Sequence, residues 1–100
     1  MPRDVNGYTV RCKVDQREID DISYTVQVKQ GGRWKHAGSV WRAVPVRMGW
    51  AGCVEETPDG ERLWSLHGYD CEETMRDVLW RLIPEAERHG LISRATKETT

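Results

Sequence analysis

Apolar and polar residues alternate with a period of two through much of the first half of the chain. Tyr8, Val10, Cys12 and Val14 interleave with Thr9, Arg11 and Lys13, and Ile22, Tyr24, Val26 and Val28 interleave with Ser23, Thr25, Gln27 and Lys29. This is the period of a half-buried β-strand. Residues 15 to 21 between them are polar and read as a turn. Gly31-Gly32 marks a hairpin into a further strand from Arg33, because glycine accepts the positive φ that tight loops need. A two-residue loop would oppose Lys29 to Trp34 and leave the indole among polar groups. A three-residue loop, Gln30 to Gly32, opposes Val28 to Trp34 and Val26 to His36, and it is expected here because it keeps the larger side chains on the buried face.

The middle is less regular. Val44, Val46, Met48 and Trp50 alternate with Pro45, Arg47 and Gly49, and Pro45 confines such a strand to an edge or a bulge. Thr57-Pro58-Asp59-Gly60 suits a type I turn followed by a left-handed glycine. That turn pairs Glu56 with Arg62 and Val54 with Trp64. It puts Trp50, Val54, Trp64 and Leu66 on a core face and Cys53, Ser65 and His67 on the other.

Near Met75 the period changes. Met75, Val78, Leu79, Leu82, Ile83 and Ala86 form the stripe of an amphipathic helix wide enough to pack on a sheet. Asp70 is the expected N-cap, with Glu73 completing a capping box, and Gly90 is the expected C′ residue with Leu91 against Ala86. Pro84 either kinks this helix or opens a second short one. Trp80 falls about 120° from the centre of the stripe at 100° per residue. The fold class expected is α+β: one domain over residues 1–92, an antiparallel sheet of four to five strands with one C-terminal helix on one face, then a polar, disordered tail over 93–100.

Charge changes this picture more than composition does. The formal net charge of −1 resolves into −1 over residues 1–21 (four bases, five acids), +5 over 22–54 (five bases, no acid) and −5 over 55–100 (six bases, eleven acids). The acid-free stretch also carries Trp34, Trp41 and Trp50. Such a polarised chain has a preferred binding face. Five Trp and three Tyr replace the absent Phe, and these residues give much buried area while keeping a polar N–H or O–H. Three cysteines are too few and too scattered for a disulfide framework, and no leader or long apolar run is visible, so a cytoplasmic location off the membrane is expected.

No complete catalytic, metal or nucleotide motif is present. His67 and Cys71, with Cys53, lack the spacing and the fourth ligand of a zinc site. The paired acids Asp20-Asp21 and Glu55-Glu56 point to opposite faces of any strand, and Glu72-Glu73 suits a helix start. Gly31-Gly32 leads into a strand, whereas a phosphate loop leads into a helix. The expectation is therefore a non-catalytic binding protein with no cofactor and no metal. Its candidate contacts are Lys29, Arg33, Trp34, Lys35, Trp41, Arg42 and Arg47 on a basic, aromatic face, and Trp80 at the helix edge. A protein partner with an acidic surface fits Arg and Trp best. The alternatives are nucleic acid, bound by bases and indoles on a sheet ribbon, self-association, a small enzyme, or an ordinary solvated sheet face.

Overall fold

A computed structural model of the chain describes residues 2–18, 21–43, 49–54, 62–66 and 72–93. Six strands, β1 (Arg3–Val5), β2 (Tyr8–Glu18), β3 (Asp21–Gln30), β4 (Arg33–Ala43), β5 (Gly49–Val54) and β6 (Ser65–Leu66), form one antiparallel sheet in sequence order. Among the described residues one helix, α1 (Met75–Arg88), packs on one face of it. The class is the expected α+β, with six strands where four to five were expected.

The additional strand β1 comes from Asn6-Gly7, whose φ values of 53° and 85° close a two-residue loop between Val5 and Tyr8. Asn-Gly is among the strongest hairpin signals because it tolerates positive φ at both central positions. Most of the run 15–21 expected as a turn is strand: β2 continues to Glu18, β3 begins at Asp21, and the pairing steps by one residue between Val14 and Gln16, while Ile19 and Asp20 lie outside the described residues.

Helix-side positions carry the core. Val5, Tyr8, Val10, Val26, Val28, Val40, Val54 and Leu66 from the sheet meet Val78, Leu79, Leu82, Ile83 and Ala86 from α1. Each large member contributes about 1.5–3 kcal/mol of transfer free energy. The spacing across the second hairpin is as expected, with Val54 N–H donating to Trp64 O at 2.9 Å and Gly52 opposite Leu66. Trp50 and Trp64 are half-buried against this core. The Thr57–Gly60 turn and the Glu56–Arg62 pair lie outside the described residues, as does the run Val44–Met48 apart from its continuation in β5.

Both ends of α1 are closed by side-chain or backbone bonds. Thr74, not Asp70, is the N-cap: its hydroxyl accepts from Asp77 N–H at 3.1 Å. The helix start is displaced because residue 72 is still tied to the sheet, Trp50 N–H donating to Glu72 O at 2.7 Å and Glu72 N–H to Trp50 O at 3.0 Å. The C-terminus is the expected Schellman arrangement. Leu91 N–H donates to Ala86 O, Gly90 N–H donates to Glu87 O, and Gly90 has φ 81°. Pro84 lies inside one continuous helix, and the bond it cannot make is the one to the Trp80 carbonyl. Beyond the helix, Ile92 is buried and Gln30 holds Ser93, its Nε2 donating to Ser93 O at 2.7 Å.

Candidate functional site

The sheet face opposite α1 is built from the polar half of each alternation. Thr9, Arg11 and Lys13 of β2, Thr25, Gln27 and Lys29 of β3, and Trp34, His36, Ser39 and Trp41 of β4 share it through their direct pairings. Trp34 belongs to this face because the loop has two residues, Gly31 and Gly32 at φ 59° and 78°, with Gln30 opposite Arg33 and Lys29 opposite Trp34. The three-residue loop expected to bury Trp34 is overturned. Two glycines with positive φ suit a primed turn that matches the sheet twist, and this local geometry outweighs the burial of one indole. A bulge then restores inward parity further on: Ala37 is inserted between His36, opposite Gln27, and Gly38, opposite Val26, so that Val40 reaches the core.

Trp34 is held by charges from two neighbouring strands. The Arg11 guanidinium lies 4.1 Å from the Trp34 ring centroid while its Nε donates to Gln27 Oε1 at 2.7 Å, and the Lys29 ammonium lies 6.0 Å from the same ring. Trp41 has a similar companion, the Arg62 guanidinium at 5.0 Å. The two indoles are seven positions apart on β4, about 20 Å at strand rise. Asp4, opposite Thr9, is the acid of this face among the described side chains, whereas Glu72, Glu73, Asp77, Glu85 and Glu87 lie on or just before α1. These five acids share the helix layer with Arg76, Arg81 and Arg88, and so stand away from the open face of the sheet.

Of the contacts expected on the basic, aromatic face, Lys29, Trp34 and Trp41 lie on this face. Arg33, Lys35 and Arg42 do not join them: they occupy the opposite parity of β4, facing Gln30, Val28 and Trp50 across the ladders, and all three are exposed. Arg47 lies outside the described residues. Arg11 and Arg62 supply the missing positive charge, and neither falls in the acid-free stretch 22–54. The alternation that makes Arg11 a polar-face residue identifies its side of the sheet, and only the pairing of β2 with β3 and of β3 with β4 brings it to Trp34.

Trp80 stands on the other layer, 42% exposed. It is one heptad before Glu87, hence on the same flank of α1, and Glu87 reaches β2 by accepting from the Tyr8 hydroxyl at 2.8 Å. Trp80 therefore lies on the flank turned toward β2. On that side of the sheet Val14 is 53% exposed and Tyr24 is half-buried, its ring 6.1 Å from that of Trp50.

Cys12 is a free thiol, and burial pushes it above its ordinary pKa, opposed in part by Arg3, while Cys53 is buried on β5. His67 and Cys71 lie outside the described residues, among which no three His, Cys, Asp or Glu side chains converge. No helix among the described residues is long and apolar enough to cross a membrane. Comparison with protein-family models, curated proteins and solved structures gives no match to this chain.

Proposed function

We propose that this protein is a non-catalytic binding module that recognises an acidic protein surface through the open face of its sheet. The observation that carries the reading is the Arg11–Trp34 stack beside Lys29: a cation and an indole fixed on rigid strands lose little conformational freedom when a carboxylate arrives. Arg and Trp are the residue types that most often dominate interfaces. Trp41 with Arg62 extends the face, and the acids of α1 stand on the opposite layer, where they do not repel an acidic partner. Two points favour protein over nucleic acid. The guanidinium already covers one face of the Trp34 ring that a base would stack on, and about 20 Å separates the two indoles, far more than the step between neighbouring bases.

Affinity capture from the native host with wild-type protein, the Arg11→Ala variant and the Trp34→Ala variant, each with and without nuclease, tests this reading. Retention of a protein partner after nuclease, and its loss with either variant at unchanged melting temperature, is the expected result. Loss on nuclease treatment alone would replace the acidic protein with nucleic acid. Equal capture by all three proteins would remove the face as the site.

A further inference from the structure

We infer that the acidic partner presents an extended segment that pairs as a new strand along the open edge of β2; this rests on the acidic-partner reading above and specifies its geometry. β1 pairs with β2 only from Tyr8 to Val10, whereas β2 runs on to Glu18. Among the described residues no strand lies beside Arg11–Glu18 on that side, so up to the register step between Val14 and Gln16 alternate residues direct a backbone N–H and C=O outward.

The side chains along this edge define what fits. Arg11 and Lys13 belong to the open basic face, and Lys13 is exposed. Cys12 and Val14 alternate to the helix side, where Val14 is the most exposed large apolar residue among those described. An added strand shares this alternation, with directly opposed residues on the same face. Its side chains beside Arg11 and Lys13 are acidic, and those beside Cys12 and Val14 are apolar. Main-chain hydrogen bonds supply affinity and the alternation supplies selectivity, as in other strand-addition modes. A second copy of this chain is the wrong occupant, because two β2 edges brought together place their Arg11 and Lys13 side chains on one face.

The test uses a short capped peptide alternating Glu and Val, followed by amide NMR shifts and hydrogen exchange on the full chain. A control peptide has the same side chains but N-methyl groups along one edge. The expected result is protection of amides within Arg11–Val14 and binding at least roughly tenfold weaker for the N-methylated control, since each lost ladder bond counts. Val14→Glu and Lys13→Glu should weaken binding with the melting temperature unchanged. Equal binding of the two peptides overturns strand addition and leaves the acidic-face reading standing, with shifts confined to Trp34 and Trp41. Binding by neither peptide overturns both. Protection of these amides that grows with protein concentration and needs no peptide overturns the inference in favour of self-pairing.

Discussion

The Tyr8 hydroxyl donates a 2.8 Å hydrogen bond to Oε2 of Glu87, 79 residues further along the chain. Tyr8 is buried at the start of β2 and Glu87 is half-buried near the end of α1, so one bond ties the helix to the side of the sheet remote from β5. Tyr8→Phe keeps the ring and removes the donor, and it should cost about 1–2 kcal/mol, the range for a partly buried bond to a carboxylate. Denaturant unfolding of the single variant reads this directly. A change below about 0.5 kcal/mol would mean that solvent replaces the bond at no cost.

Two glycines mark where elements approach most closely. A Cβ at Gly38 would overlap the carbonyl oxygen of Cys53 on β5, a backbone atom that the β4–β5 ladder holds in place, while a Cβ at Gly52 would stand 2.7 Å from Val78 Cγ1, a side-chain atom of α1. Gly38→Ala should therefore cost about 3 kcal/mol or more, and Gly52→Ala about 1–3 kcal/mol, because a valine rotamer yields more readily than a strand. Thermal unfolding of both variants gives the order. The reverse order would show that β5 shifts more easily than the helix.

Trp80 and the stripe of α1 should respond differently to truncation. Leu79 and Leu82 are fully buried, and replacing either with Ala should cost about 2–5 kcal/mol. Trp80, at 42% exposure, should lose about 1 kcal/mol on replacement by Ala if its indole serves a partner, with association weakened by about 2 kcal/mol or more. Thermal unfolding and sedimentation of Trp80→Ala separate these effects. A loss of about 3 kcal/mol with unchanged assembly would assign the indole to packing against the sheet.

Cys12 should behave as a slow thiol. Burial raises its pKa in the folded state, so less thiolate is present near neutral pH and alkylation should run slower than for a free cysteine. The same shift makes stability depend on pH. Below the unfolded thiol's value, about 8.5, the contribution is fully present, and it is lost as pH rises through the higher folded value. The stability difference between wild type and Cys12→Ala should accordingly shrink from about pH 8 to about pH 10. Peptide-resolved alkylation and unfolding at both values check it, and fast alkylation at neutral pH would contradict the burial.

Local signals account for much of the fold. Alternation delimits the cores of β2 and β3, the 3.6 period marks the buried residues of α1, Gly90 ends the helix, and the spacing across residues 57–60 sets Val54 opposite Trp64. Asn6-Gly7 belongs with these signals, since its two residues alone suffice to specify the β1–β2 turn. These features are short-range: side-chain period, turn chemistry and capping act within a few residues.

What only the tertiary structure decided is which residues meet across strands. Thr74 caps α1 rather than Asp70 because the bridge between Trp50 and Glu72 keeps the preceding chain extended, and local propensity among several polar candidates does not resolve that. The face carrying Trp34 depends on the competition between a two-glycine turn and burial of an indole, with the Ala37 bulge correcting parity afterwards. Arg11 and Arg62 join the tryptophans from outside the acid-free stretch, while Arg33, Lys35 and Arg42 within it take the opposite parity. The amino-acid sequence by itself determined an α+β chain with an uneven distribution of charge. Strand pairing determined the basic, aromatic face, because a β-residue's side follows from local period while its neighbours follow from registers formed across distant segments of chain.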